Sequence, residues 1–191
     1  MYIFFDTETT GLPKNWKAPV EDLDNWPRLV QLAWIIYDSN KSFISSEEHI
    51  VYPSGFQIPE AASNVHGITT HKAILEGKSI DFVLDRFYND LKECSHIIAH
   101  NLNYDINIMG AELLRNNKAN ILPDKKGICT MLSSVDYCAL PGRYGYKWPS
   151  LSELHIKLFN KDFENAHDAM SDISATADCF FELEQRSVIN L

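Results

Sequence analysis

The residues best suited to chemistry are acids and one histidine, and they fall in three short stretches. IFFDTETTG, residues 3 to 11, ends an apolar run in two carboxylates, Asp6 and Glu8. HNLNYD, residues 100 to 105, carries Asp105, and HDAMSD, residues 167 to 172, carries His167 and Asp172. A carboxylate buried without a partner is heavily penalised. Either the run at 3 to 11 is not buried, or something positive meets its acids. In a chain with net charge −9, carboxylates gathered at one site have a ready explanation in a divalent metal, since oxygen ligands suit hard cations.

Each residue also has an ordinary reading. Asp6 could cap a turn, with Glu8 solvated. Asp105 falls in the first turn of a predicted helix, where an acid suits the helix dipole. A lone histidine such as His167 is most often a surface or core residue. Asp172 resists its ordinary reading most. At helical spacing it shares a face with Ala169, Ala175, Thr176 and Cys179, a small apolar face suited to close packing on a sheet. His167 lies about 140° from Asp172 on a regular helix. It is therefore expected at the helix entrance, beside Asn165 as a cap, from where its imidazole can swing over the site.

These residues need elements to hold them. YIFFD (2–6) reads as a short buried strand, and Asp6 and Glu8 project to one side if strand geometry continues through Thr7. TTGLPKNWKAP is a loop. RLVQLAWIIYD (28–38) and FISSEEHIVYP (43–53) read as an antiparallel hairpin turned at DSNK. Short helical pieces follow, broken at Gly67 and Gly77. Residues 79–93 form a helix capped by Ser79. CSHIIAH (94–100) is a strand, and 103–117 a helix with Asn103 as its cap. GICT (127–130) is a further short strand, and DYCALPGRYGYKWPS is loop-like. SLSELHIKLFN (150–160) and residues 167–186 are helices. A hairpin followed by alternating strands and helices implies a mixed sheet flanked by helices.

Composition narrows the class. The 191 residues, 45% of them apolar, suit one domain spanning 1–191 with a full core. The sequence holds no apolar run long enough for a membrane span. Met1 leads directly into YIFFD without a signal-peptide pattern. Cys94, Cys129, Cys138 and Cys179 show no C-x-x-C spacing, so reduced, packed cysteines and a cytoplasmic location are expected. The acidic balance disfavours broad binding to nucleic acid but allows a grip on a strand end.

Taken together, the three stretches resemble the DEDDh family of 3′–5′ exonucleases, which includes the proofreading epsilon subunit of bacterial DNA polymerase III. FDTETTG resembles the family's D-x-E motif followed by T-G. HNLNYD resembles H-N-x-x-F-D with Tyr104 in place of Phe, and HDAMSD resembles H-x-x-x-x-D. NVHGIT (64–69) is similar to a further family segment. The resemblance runs from residue 3 to about 183. Two departures stand out: PKNWKAPVEDLDNWP is longer than the corresponding segment of many relatives, and Gln31 stands where they often carry glutamate. The sequence ends soon after the third motif, so a long C-terminal tail of the kind the replicative subunit uses to join its polymerase is not expected.

The resemblance implies a ribonuclease H-like α/β fold with a mixed five-stranded sheet flanked by helices. It implies two divalent ions, Mg²⁺ or Mn²⁺. Asp6, Glu8 and Asp172 would hold the one that activates water, and Asp6 and Asp105 the other. His167 would take the proton from the water, since its ordinary pKa of about 6.5 is close to working pH. Products would be nucleoside 5′-monophosphates from a 3′ end. The partner is a single-stranded 3′ end, with DNA ahead of RNA because DTETTG looks more like the proofreading branch than the oligoribonuclease branch. A DNA polymerase is a candidate companion. Thr7, Thr9, Thr10, His66 and Asn101 are expected substrate contacts. Arg143, Lys147 and Trp148 mix cations with an aromatic in a loop that could grip phosphates and stack bases. The competing functions are a 3′–5′ exoribonuclease trimming short RNA, a catalytically silent end-binding subunit, and a metal phosphohydrolase of small nucleotides.

Overall fold

Five strands form one mixed sheet in the order β3-β2-β1-β4-β5. The computed structural model describes residues 1–164 and 168–191. The central strand β1 (Tyr2–Thr9) runs antiparallel to β2 (Leu29–Tyr37) and parallel to β4 (His96–Ala99). β3 (Phe43–Ile50) lies on one edge and β5 (Lys126–Cys129) on the other. The expected architecture is the one observed.

Alternation in β1 divides the core into two layers. Ile3 and Phe5 face a cluster that includes Val83, Leu84 and Phe87 of α3 (Ile80–Glu93) and Ile108 and Met109 of α4 (Leu102–Arg115). Tyr2 and Phe4 face the opposite way, toward Leu154 and Leu158 of α7 (Leu151–Phe159) and Phe180 and Leu183 of α8 (Ala169–Gln185). The remaining helices are short: α1 (Glu60–His66), α2 (Thr70–Glu76), α5 (Thr130–Ser133) and α6 (Val135–Cys138). Burying each large apolar side chain contributes about 2 kcal/mol, so this two-sided core fixes the position of β1 firmly.

Capping explains several boundaries. Ser79 accepts from the Phe82 N–H, as expected, and Ser150 and Glu153 form a reciprocal capping box at the start of α7. Asn103 is not the cap of α4. That helix begins at Leu102, after Asn101 in a left-handed conformation (φ 74°). At α8 the cap is Asp168, whose carboxylate accepts from the Ser171 N–H. Asn165, the expected cap, lies outside the described residues.

Other differences are of extent. The first strand continues to Thr9 because β2 pairs with it throughout, up to a register shift at Glu8/Thr9. The stretch expected as loop after Ser134 contains α6 and a small hairpin, β6 (Pro141–Gly142) and β7 (Gly145–Tyr146). Thr130 opens α5 rather than closing β5. The four cysteines are free. Among the described residues, no helix is long and apolar enough to cross a membrane.

Candidate active site

The carboxylates meet where β1 and β4 run out. Asp6 and Glu8 continue the face of β1 that carries Tyr2 and Phe4, so they point toward the layer of α8. The first half of α8 packs Ala169 and Ile173 against Ala33 and Ile35 of β2. This brings Asp172, in the first turn of α8, within electrostatic range of both acids. Ala169, Ala175, Thr176 and Cys179, the small face inferred from spacing, are all buried.

Asp105 arrives from the other side of the sheet. β4 leads through His100 and Asn101 into α4, whose first turn carries it. It is 2% exposed. Its Oδ1 accepts both the Thr7 N–H at 3.1 Å and the Thr7 hydroxyl at 2.7 Å. β1 and α4 are thereby tied at the point where the acids converge.

Electrostatics binds the four into one group. Burial, then the charge of Asp172, pushes Asp6 up to about 7. Asp6 is densely surrounded by protein and remains partly exposed. Burial, then Asp6, then Asp172 push Glu8 up to about 8. Asp105 is raised well above the usual carboxylate range by burial and by Asp6, against the lowering effect of the Thr7 hydrogen bonds. Every contribution on Asp6 and Glu8 acts upward, so the cluster favours a bound proton or cation. Repulsion opposes closer approach, and among the described residues no three His, Cys, Asp or Glu side chains stand in a finished metal cage. The donor set, all carboxylate oxygen, fits a hard divalent cation.

A cavity of ≈ 500 Å³ opens beside these acids. Glu8 lines it, as do all five residues expected to contact substrate: Thr7, Thr9, Thr10, His66 and Asn101. The threonine hydroxyls, however, serve the fold. Thr7 holds Asp105. The Thr9 hydroxyl bonds the Gly11 carbonyl at 2.7 Å and lies 2.5 Å from the Tyr104 hydroxyl. Thr10 accepts the Arg28 N–H at 3.0 Å.

His66 is different. Its Nδ1 accepts the Ile68 N–H at 3.1 Å, which leaves the proton on Nε2. That buried Nε2 has no hydrogen-bond partner among the described residues, although the Thr9 backbone is near enough to favour its protonated form slightly. Burial outweighs this and lowers the imidazole's pKa.

His167 lies outside the described residues. Of the cation–aromatic loop, Lys147 pairs with Glu153, Arg143 stacks over Tyr144 and Trp148 lines a separate cavity. Gln31 stands directly opposite Glu8 in the β1–β2 register and gives its amide to Glu48 at 2.7 Å. A glutamate there would add a further negative charge to a cluster already strained by repulsion.

Sequence reasoning missed three features. Trp16, in the extended segment, lines the main cavity and rests on Tyr104, with ring centroids 5.7 Å apart. The Tyr104 hydroxyl, the atom that Phe would lack, bonds the Gly11 carbonyl at 2.7 Å. Gly11 takes φ 144°, a conformation open mainly to glycine. Glu112, fully buried on α4, accepts from Arg28 Nε at 2.8 Å, Arg115 Nη1 at 2.9 Å and the Leu29 N–H at 3.1 Å. Arg115 also donates to the carbonyls of Leu23 and Trp26, fastening the extended segment to α4. A glutamate amid MGAELL was the available signal for this last feature.

A family model described as an exonuclease matches residues 3–180. No curated protein matches by sequence. Among solved structures, E. coli Exonuclease I in complex with a dT13 oligonucleotide aligns at 22% identity and TM-score 0.76, over 97% of this chain and 41% of that one. The zinc-bound form of an E. coli ExoI–ssDNA complex aligns at 24% identity and TM-score 0.72, over 97% of this chain and 40% of that one. An ExoI/SSB-Ct complex gives 19% identity and TM-score 0.74, over 97% and 41%. The chain thus spans about two-fifths of the length of these structures. They share its fold.

Proposed function

We propose, from the premise that the chain belongs to the exonuclease family, that it is a divalent-metal-dependent 3′–5′ exonuclease acting on single-stranded DNA and releasing nucleoside 5′-monophosphates. One observation carries the reading: Glu8 belongs both to the carboxylate cluster and to the wall of the cavity. A nucleotide seated in that cavity has its phosphate beside the acids. The likeness to E. coli Exonuclease I bound to dT13 supports DNA as the strand.

Asp6, Glu8, Asp105 and Asp172 would hold the cations, Mg²⁺ or Mn²⁺, with Asp6 shared between two. When bound, such ions neutralise the carboxylates, lower the pKa of water and stabilise negative charge on the phosphate. The chain's own residues do the rest. Thr7 orients Asp105. His66 lines the wall against which the terminal nucleotide would rest, with its buried Nε2 turned to the Thr9 backbone. Asn101 supplies an amide at the cavity wall. His167 takes the proton from the attacking water. The motif resemblance to proofreading subunits also supports a DNA polymerase as companion, to be sought by co-purification.

The test is release of mononucleotides from 3′-labelled and 5′-labelled single-stranded DNA with Mg²⁺, Mn²⁺ or EDTA, beside Asp6→Ala and a matched RNA. Shortening from the 3′ end that requires metal and is lost in the variant is the expected result. Faster turnover of RNA would move the substrate to short RNA. No cleavage of either polymer with metal present would overturn the reading.

A further inference from the structure

Gln31 is the uncharged neighbour of the carboxylates. It stands opposite Glu8 in the β1–β2 register, as Ala33 stands opposite Asp6. Opposed residues in a sheet project to the same side, with Cβ atoms about 5 Å apart. The Gln31 side chain therefore runs beside that of Glu8, on the α8 face. One strand further out, Glu48 of β3 stands opposite Ala33.

A polar cavity of ≈ 370 Å³ reaches from Gln31 over β3. Its walls carry Gln31, Glu48, Lys72, Lys78 and Asp168. Asp168 caps the helix that brings Asp172 to the cluster, so this cavity adjoins the acids across Gln31. Glu48 accepts the Gln31 Nε2–H at 2.7 Å. Burial and Asp168 raise the pKa of Glu48, and Lys72 opposes them. The bond to Glu48 fixes which end of the amide is the nitrogen. Among the described residues, the Gln31 oxygen accepts no hydrogen bond.

A hard divalent ion such as Mg²⁺ dehydrates reluctantly and keeps several waters. Those waters are donors that need acceptors close to the carboxylates. Asp6, Glu8, Asp105 and Asp172 already balance the charge of two divalent ions, so a further carboxylate would leave surplus charge. An amide oxygen accepts without adding any.

The geometry points to Gln31 as a positioning residue for the metal: its Oε1 accepts from a water on the cation that Glu8 would hold, and Glu48 fixes the amide for that task. The inference rests on the metal-dependent reading above and adds the uncharged group that orients the water of the ion.

The experiment measures metal binding directly. Mn²⁺ affinity is read on DNA-free protein by electron paramagnetic resonance and by the rise in Tm, beside shortening of single-stranded DNA. Gln31→Met keeps the length of the side chain and removes both polar atoms. It should bind Mn²⁺ roughly tenfold more weakly, with little change of Tm in EDTA. Gln31→Glu keeps an oxygen acceptor and should bind Mn²⁺ at least as tightly as wild type. Glu48→Ala frees the amide and should show a smaller loss. Combined with Gln31→Met, it should add nothing to the loss at Gln31.

Wild-type Mn²⁺ affinity in Gln31→Met overturns the inference. So does an equal loss in Gln31→Glu, which would mark a packing role. Additive losses overturn the part given to Glu48. Metal binding and shortening by wild type, with no effect at Gln31, remove the inference and leave the exonuclease reading. An effect of Gln31 on Mn²⁺ affinity without shortening by wild type does the reverse. No Mn²⁺ binding by wild type overturns both.

Discussion

Thr7 gives both its backbone N–H and its hydroxyl to one oxygen of Asp105, across a sequence separation of 98 residues. The pair couples the central strand to the helix on the far face of the sheet. It also lowers the pKa of a carboxyl that burial drives upward. Thr7→Val keeps the shape and removes the hydroxyl. Expected is a 10- to 100-fold loss in activity or metal affinity, the usual scale for a residue that orients a ligand. Stability should fall by only about 1 kcal/mol. Activity titrated against Mn²⁺, with a urea melt of the same protein, measures both.

The acid cluster should make metal-free stability depend on pH. Asp6 and Glu8 have ordinary values of 3.8 and 4.5 and folded values of about 7 and 8. The folded state therefore binds protons more tightly than the unfolded one. The resulting penalty is absent below the ordinary values, grows as pH rises between them and the folded values, and is complete above about 8. In EDTA, Asp6→Asn should be more stable than wild type at pH 8, with the difference shrinking toward pH 5. Mg²⁺ or Mn²⁺ should raise the Tm of wild type at pH 8 and do little for the variant. Urea melts and thermal melts across that range provide the check.

His167 as general base predicts a split between binding and turnover. His167→Ala should lose roughly 10²- to 10⁴-fold in kcat. It should keep the rise in Tm on adding metal, because no carboxylate is lost. Equal loss of both would assign His167 to metal binding instead.

Tyr104 in place of Phe is a hydroxyl with a structural task. It fastens Gly11 beneath the cavity and supports Trp16. Burial pushes its pKa up to about 12, so it remains a neutral donor throughout the working range. Tyr104→Phe should lower stability by about 1 kcal/mol, or about 2–4 °C in Tm for a chain of this size. KM should rise a few-fold while kcat changes less, as measured by steady-state kinetics on a short oligonucleotide.

Glu112→Ala should cost more, about 3–5 kcal/mol. It strands Arg28 and Arg115 beside a buried void and frees the segment that carries Trp16. Thermal melts, together with faster proteolysis between Lys14 and Arg28, would report it.

Much of this was readable from the chain because the pattern was local. Alternation in YIFF and helical spacing in 79–93 depend on near neighbours. Ser79 announces its helix by a side chain placed one residue ahead, whereas SLSEL offers both Ser150 and Ser152 as caps and the structure takes Ser150. The convergence of Asp6, Glu8, Asp105 and Asp172 was legible only as a set of motifs, since each acid alone has an ordinary explanation. What stayed hidden depends on tertiary contact. Asn101 adopts a left-handed turn at the end of β4, so the cap fell two residues earlier than expected. Trp16 sits in a segment with no periodicity, and tertiary contacts bring it to the cavity: Arg115 to the Trp26 carbonyl, Asn25 to Asn15, and Tyr104 beneath the indole. The threonines line the cavity as expected of substrate contacts, and their hydroxyls also hold the site together from within, which their sequence positions did not show.

The four acids ride on three elements, β1, α4 and α8, which meet only in the finished sheet. A chain still emerging during synthesis has Asp6 and Glu8 long before the helix bearing Asp172 exists. A partly unfolded copy that has lost α8 likewise lacks one wall of the cluster. On the proposed function, the capacity to cut is therefore a late property of folding, absent from nascent and damaged copies. Recovery of activity after dilution from denaturant should lag behind formation of the sheet.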